Sequence, residues 1–269
     1  MKEKLIVLGA GESGIGAAIL GKQKGYEVFL SDANEIPVSL QNILNDKGIL
    51  WESGQHSLSS MEGASIAVKS PGIPGNIPLL NGLRAKGTRI ISEIEFAAQS
   101  TSATLIGITG TNGKTTTTMM TYEILKNAGL NVGLAGNIGS SFAKQVAEED
   151  YEFYVLEISS FQLDDIDQFA PHIALITNIT PDHLDRYDYS FEAYIQAKLK
   201  ITKNQSSKNF FLFNADDEIL VSALKDHKTN AQTVSFGSNP TETTGSYLKD
   251  NQLILKNQKK TTMIQSVEF

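Results

Sequence analysis

Residues 107–116 read "GITGTNGKTT", and this stretch decides the fold. It follows the apolar run "ATLIGI" (103–108) and opens into "KTTTTMMTYEILKNAG" (114–129). Strand, glycine-rich loop and helix therefore follow one another. Glycine lets a backbone turn tightly and approach a ligand closely. The free amides and positive dipole end of a helix N-terminus attract anionic oxygens. The phosphate-loop pattern G-x-x-x-x-G-K-[ST] would start at position 108, where Ile108 stands; Gly107 and Gly110 flank that slot, so the match is imperfect. The remainder fits. The segment Gly110, Thr111, Asn112, Gly113, Lys114, Thr115, Thr116 is expected to wrap nucleotide phosphates, with Lys114 reaching the β/γ-phosphates and the Thr115 hydroxyl meeting Mg²⁺. Downstream, "EFYVLE" ends in Glu157, an acid at the carboxyl end of a strand, where it could hold the same ion. Standing alone, Glu157 would read as an ordinary exposed glutamate.

A second glycine-rich loop lies upstream. In "GAGESGIG" (9–16), Gly9, Gly11 and Gly14 fit G-x-G-x-x-G, after the strand "EKLIVL" and before the helix "SGIGAAILGKQKG". Asp32 ends the next strand, "YEVFLSD", about 20 residues on, where an acid can accept from a ribose hydroxyl or a base N–H. The alternative for this loop is a tight turn with no ligand. Strands then alternate with helices through most of the chain, which predicts parallel sheets. After about Gln232, short strands separated by turn residues predict an antiparallel appendage. The fold class is thus α/β: a Rossmann-like N-terminal domain over 1–95, then a P-loop-type ATPase α/β domain over 96–269 carrying that appendage. The boundary falls in residues 91–102. Because only that segment is expected to join the domains, their mutual angle is expected to vary.

Bulk properties narrow the classes. The length of 269 residues suits two domains, and 41% hydrophobic residues can fill their cores. The net charge of -7 gives no general attraction for nucleic acid or anionic membranes. The chain has no cysteine, so disulfides and thiolate zinc are excluded. The N-terminal apolar run is too short for a secretory signal, and no stretch approaches the ~20 apolar residues of a membrane span. A cytoplasmic protein is expected. No Asn-Lys-x-Asp base-reading motif is present, which disfavours GTP. A kinase, an ATPase and a dehydrogenase using the upstream loop remain open.

"GITGTNGKTT", "GNIG", "LEISSFQL", "NITPDHLDRY", "AKLKI" and "FNADD", in that order, resemble the Mur ligases. Members of that family are ATP-dependent enzymes that add amino acids to UDP-N-acetylmuramic acid derivatives. With "GAGESG" and "SPGI" upstream, the chain looks most like the branch that adds D-glutamate to UDP-N-acetylmuramoyl-L-alanine. The resemblance implies that Glu12, Ser13, Gly14, Asp32, Ser70, Pro71 and Gly72 hold the UDP end of the substrate, Asp32 meeting the uracil. Asn137 and Ser159 would contact its sugar and peptide side. Catalytic roles fall to Lys114, Glu157, His183 and Lys198. Two Mg²⁺ ions are implied, one on Thr115 and Glu157, the other on His183 and Lys198 carried as a carbamate. Without the resemblance His183 reads as a capped loop residue and Lys198 as a solvated helical lysine, with Lys200 a nearby decoy. The resemblance also implies a monomer and a third, amino-acid-binding domain that this chain does not contain. The chain is therefore expected to be folded but catalytically silent alone. Against this stand a small-molecule kinase, a nicotinamide-dependent oxidoreductase and a non-catalytic nucleotide-binding module.

Overall fold

The computed structural model describes residues 2–239, 244–249, 252–257 and 260–266. The chain begins β1 (Lys4–Leu8), α1 (Glu12–Gln23), β2 (Glu27–Asp32), α2 (Val38–Asp46), β3 (Leu50–Ser53), β4 (Ala64–Lys69), α3 (Pro78–Ala85), β5 (Arg89–Ser92) and α4 (Glu93–Ala98). These strands form a parallel sheet in the order β3-β2-β1-β4-β5. The order reverses at β1, which places residues 9–11, Asp32 and residues 70–73 together at the carboxyl edge, where such sheets bind ligands.

The second part runs β6 (Thr104–Thr109), α5 (Lys114–Asn127), β7 (Val132–Gly136), α6 (Phe142–Glu148), β8 (Phe153–Glu157), α7 (Ser160–Asp164), β9 (Ile173–Ile176) and α8 (Phe191–Leu199). It continues through β10 (Phe210–Asn214), α9 (Glu218–Leu224), β11 (Gln232–Gly237), β12 (Gly245–Lys249), β13 (Gln252–Asn257) and β14 (Lys260–Ser266). Its strand order is β14-β13-β12-β11-β10-β9-β6-β8-β7. The architecture is mixed α/β with parallel sheets. One expectation shifts: β11 pairs in parallel with both β10 and β12, so antiparallel pairing begins only at β12–β13 and not near Gln232. The alternating, turn-flanked pattern of residues 232–237 fits an antiparallel meander equally well. Residues 267–269, the end of the expected second domain, lie outside the described residues.

The two sheets are joined by more than the 91–102 segment. One cluster of buried apolar side chains runs from Leu5 and Val7 through Ile94 and Phe96 to Phe142, Tyr154 and Leu156. Helix α1 packs so closely on α6 that a Cβ on Gly16 would lie 2.0 Å from Ser141 Oγ. Polar groups close the same seam. Glu93 Oε1 accepts from Ser141 Oγ at 2.7 Å and from the Ala143 N–H at 2.6 Å. Glu95 Oε2 accepts from the N–H groups of Asp167, Gln168 and Phe169 at 2.9, 3.1 and 2.7 Å. The Ser92 N–H donates to the Asp165 carbonyl at 2.8 Å. Carboxylates satisfying buried amides resist separation, because pulling them apart strands both partners. The freely varying angle expected from a single connection is therefore not what the interface supports. Among the described residues, no helix is long and apolar enough to cross a membrane.

Candidate active site

Strand β6 delivers the loop 110–113 directly onto α5. Gly113 adopts φ 78° and Gly110 φ 147°, both in the range that favours glycine. A Cβ on Gly110 would also lie 1.9 Å from Thr177 Oγ1, so the loop is pressed against the segment after β9. That segment grips it further. Asn178 Oδ1 accepts from the Asn112 N–H at 2.9 Å, and Thr177 Oγ1 donates to the Asn112 carbonyl at 2.7 Å. Thr111 is buried; its hydroxyl meets the Thr180 carbonyl and Tyr194 Oη, each at 3.1 Å. "FNADD" finds its purpose here. Asp217 caps α9 through the Leu220 N–H and holds the Ile179 N–H at 2.7 Å, bracing the gripping segment from behind.

Three predicted residues meet at the start of α5. Thr115 Oγ1 donates to Glu157 Oε2 at 2.7 Å, and Asn137 Nδ2 donates to Glu157 Oε1 at 2.8 Å. Glu157 is 1% exposed, since strand pairing of β8 between β6 and β7 carries its acidic end under the loop. Asn137, assigned from the resemblance to the substrate, thus also orients the acid. Lys114 Nζ donates to the Thr111 carbonyl at 2.8 Å, and Thr116 sits exposed on the first turn of α5.

Lys198 is the residue that its own sequence context disguises. It lies on α8, is 1% exposed, and donates to the Gly110 carbonyl at 2.7 Å, with its ammonium 4.6 Å from the Tyr194 ring centroid. Burial, and then the positive charge of Lys114, pulls its pKa down to about 7. Lys200 instead forms a partly exposed pair with Asp164 at 2.7 Å. His183 lies in the turn that follows the gripping segment 177–180. It has φ 49°, is mostly exposed, lies 3.6 Å from Asp182 and packs 5.3 Å from the Phe161 ring. Ser159 is engaged as the N-cap of α7, in a capping box with Gln162.

The upstream loop is built around a close approach: a Cβ on Gly14 would meet the Gly9 carbonyl oxygen at 1.9 Å, and one on Gly9 would meet Ser70 Oγ at 2.4 Å. Loops 9–14 and 70–72 therefore adjoin. Asp32 Oδ2 accepts from the Ala10 N–H at 2.6 Å and Oδ1 from the Asn34 N–H at 2.8 Å. Its carboxylate shapes the loop through the Ala10 amide. Ser13 is partly buried on the first turn of α1, and Glu12 accepts from the Ser141 N–H at 3.2 Å, across the seam. Pro71 and Gly72 turn their carbonyls to Arg186, a residue that sequence reasoning left without a role. The signal that could have found it was its place in "PDHLDRY", three positions after His183.

The donor chemistry can be weighed against Mg²⁺. Thr115 and Glu157 present the hard oxygens that Mg²⁺ prefers, and this ion commonly takes only one or two protein oxygens beside phosphates and water. His183 and Lys198 fit a second ion less directly, because an amine offers no oxygen until it is modified. Among the described residues, no group of three or more His, Asp or Glu side chains is gathered as a preformed metal cage. Beside the loop, Asn112, Gly113, Thr117, Leu175, Val234 and Phe236 line a cavity of about 480 Å³, apolar on the sheet side.

A lysine-bearing glycine loop thus runs between a parallel strand and a helix of a mixed α/β protein, with a threonine–acid pair beneath it. The chain belongs to the Mur ligase family: the profile of the Mur ligase middle domain matches residues 108–268. It is 50% identical over 253 residues to UDP-N-acetylmuramoylalanine--D-glutamate ligase of Bacteroides fragilis, covering 94% of this chain and 57% of that protein. It is 46% identical over 264 residues to the protein of the same name from Christiangramia forsetii, covering 98% and 59%. The chain thus spans less than two thirds of the length of these relatives. Among solved structures, the UDP-N-acetylmuramate:L-alanyl-gamma-D-glutamyl-meso-diaminopimelate ligase from Neisseria superposes with a TM-score of 0.63 at 20% identity, over 97% of this chain and 86% of that one. UDP-N-acetylmuramate-alanine ligase from Thermotoga maritima gives 0.53 at 20% identity, over 98% and 60%. At these identities the structures show a shared fold.

Proposed function

We propose that this chain is the substrate- and ATP-binding part of a cytoplasmic, monomeric ligase that adds D-glutamate to UDP-N-acetylmuramoyl-L-alanine in peptidoglycan precursor synthesis. The observation that carries the reading is the Thr115–Glu157–Asn137 constellation under the Lys114 loop. The names of the relatives supply the amino acid and the acceptor. On this reading, residues 1–95 form a Rossmann-like domain that holds the uridine diphosphate at Glu12, Ser13, Gly14, Asp32 and residues 70–72. Residues 96–269 form the P-loop-type ATPase domain, with ATP phosphates on residues 110–116 and the base in the apolar cavity beside Gly113.

The chemistry follows from the charges. The substrate carboxylate is already anionic at neutral pH, as carboxyls titrate near ~4, so no general base is required. One carboxylate oxygen bonds to the γ-phosphorus of ATP as the bond from that phosphorus to the ADP oxygen breaks. The amine of D-glutamate then attacks the activated carbonyl carbon, losing a proton and expelling phosphate, to leave an amide. Lys114 neutralises developing phosphate charge; Glu157 and Thr115 would hold a Mg²⁺ ion, which would supply further charge neutralisation. Lys198, buried and uncharged for much of its population near neutrality, is suited to carbamylation, after which it and His183 would hold the second ion. Asn137 and Ser159 contact the sugar and peptide side. Calorimetric titration of the chain with Mg·ATP, UDP-N-acetylmuramoyl-L-alanine and NADH tests the reading. Binding of the first two and not the third is expected; NADH binding without ATP binding would favour an oxidoreductase and overturn it.

A further inference from the structure

The loop 70–73 has an unusual arrangement: its four successive carbonyls are all held by two cations. Lys69, 2% exposed, donates to the carbonyls of Ser70 at 3.3 Å and Ile73 at 2.8 Å, and pairs with Asp165 at 2.9 Å. Arg186 donates to the carbonyls of Pro71 at 3.3 Å and Gly72 at 3.5 Å. Each cation makes a contact in the second part, Lys69 reaching across from the end of β4. Asp165 directly follows α7, and the Arg186 guanidinium lies 4.4 Å from the ring centroid of Phe161 on that helix. The same Phe161 ring packs 5.3 Å from the His183 ring and stacks on Tyr187 at 6.0 Å. One aromatic side chain therefore touches both a cation that holds the loop and the histidine that precedes it in the turn.

Two independent contacts across a domain seam would be an ordinary finding. Here, however, the contacts divide one short loop between them, outer carbonyls to Lys69 and inner ones to Arg186. Charge-assisted hydrogen bonds are roughly twice as strong as neutral ones, so they fix the loop's peptide planes effectively. The planar guanidinium presents its N–H donors in a fixed fork, which suits it to hold two neighbouring carbonyls while its face lies on an aromatic ring. The conformation of this loop, which follows β4, is thus held in part by residues of the second part, Arg186 directly and Asp165 through Lys69.

We propose that Lys69 and Arg186 are positioning residues forming a two-cation clasp, which ties the conformation of loop 70–73, and its occupancy by a uridine diphosphate sugar, to the turn that carries His183. The inference rests on the proposed function in taking loop 70–73 as part of the substrate site. Amide hydrogen exchange on the whole chain tests it, with wild type, Arg186→Ala, Arg186→Lys and Lys69→Met. Without ligand, Arg186→Ala is expected to speed exchange at both 72–76 and 183–188 by about tenfold, the scale of one lost charge-assisted contact. Arg186→Lys should recover part of that protection. With UDP-N-acetylmuramoyl-L-alanine bound, wild type should gain protection in both segments, and Arg186→Ala only in 70–76. Unchanged exchange at 72–76 in unliganded Arg186→Ala would overturn the clasp. So would equal ligand-induced protection at 183–188 in variant and wild type. Lys69→Met leaves Asp165 unpaired and can lose the fold; the partly buried Arg186 keeps the test decisive. Failure of the wild type to bind the sugar nucleotide would defeat the substrate reading itself, and the unliganded comparison would still decide the clasp.

Discussion

Gly110 has no room to be anything else. Its φ of 147° is strained for any L side chain, and an added Cβ would meet Thr177 Oγ1 at 1.9 Å and the Asn178 carbonyl oxygen at 3.2 Å. Gly110→Ala must therefore push the gripping segment off the loop. Overpacking and backbone strain together cost on the order of 2–4 kcal/mol. A fall of several degrees in the thermal midpoint is expected, together with loss of Mg·ATP binding; an unshifted midpoint would show the contact to be soft. Glu157→Gln tests the metal role at nearly constant shape. The amide still reaches Thr115, but the charge that would face Mg²⁺ is gone. Affinity for Mg·ATP should drop roughly 10- to 100-fold, while affinity for ATP in EDTA changes little. Equal losses in both titrations would mean that Glu157 serves the loop's structure and not an ion. Much of this site was legible in the sequence, because Gly113-Lys114-Thr115 and Glu157 each end or begin an element at a place where chemistry is possible. Lys198 was legible only through the family resemblance. Nothing in "QAKLKI" says which lysine turns inward; the tertiary contact with the Gly110 carbonyl decides it, and leaves Lys200 on the surface with Asp164.

Helix α4 shows why element-level reading fell short at the seam. "EIEFAA" looks like a short connector with two solvated glutamates, yet Glu93 is 2% exposed and Glu95 0%. Local sequence carries no sign that both acids cap backbone amides arriving from about 50 and 70 residues downstream. Burial, with the nearby charge of Glu12 also contributing, pushes the Glu93 carboxyl up to about 7 despite its bonds from Ser141 and Ala143, and its Oε2 is buried without a partner. The sign of the pH effect follows. Between the unfolded carboxyl value near ~4.5 and 7 the folded state binds more protons than the unfolded one, so stability falls as pH rises through that window, then levels off. Glu93→Gln, permanently neutral, should remove that slope. Chemical denaturation at pH 5 and pH 8 should show wild type losing on the order of 2–3 kcal/mol relative to the variant across the interval. Parallel curves for the two proteins would mean that the carboxylate stays ionised, held by its amide donors. Strand β11 illustrates the converse difficulty: its hydrophobic alternation is compatible with either pairing direction, and only its neighbours β10 and β12 make it parallel.

At the scale of the whole molecule the question is whether two sheets behave as two bodies. β5 and β6 belong to different sheets, with α4 between them in the chain. Mechanical independence does not follow from it. A parallel sheet exposes apolar faces that only helices cover, and here α1 and α4 from one part and α6 from the other cover each other, giving one continuous cluster of buried side chains. Lys69–Asp165, Arg89–Asp167 at 2.6 Å and the Glu95 amide bonds fasten residues 165–169 to the first sheet. Of these, the surface pair of Arg89 and Asp167 contributes little, because solvent screens it. Glu95 contributes most, as a buried group with three backbone donors. Removing it leaves Asp167, Gln168 and Phe169 N–H groups without acceptors in the seam, at about 1–3 kcal/mol for each amide that water cannot reach. If the seam makes the molecule one cooperative unit, calorimetry of the wild-type chain should give a single unfolding transition whose van't Hoff and calorimetric enthalpies agree. In Glu95→Ala the seam should open first, and the endotherm should broaden or resolve into two, the sheets now melting separately. Two resolved transitions in the wild type would show that the sheets are coupled only through the 91–102 segment after all. A single sharp transition in Glu95→Ala, merely shifted down, would place the coupling in the apolar contact of α1 with α6 instead of in the carboxylate.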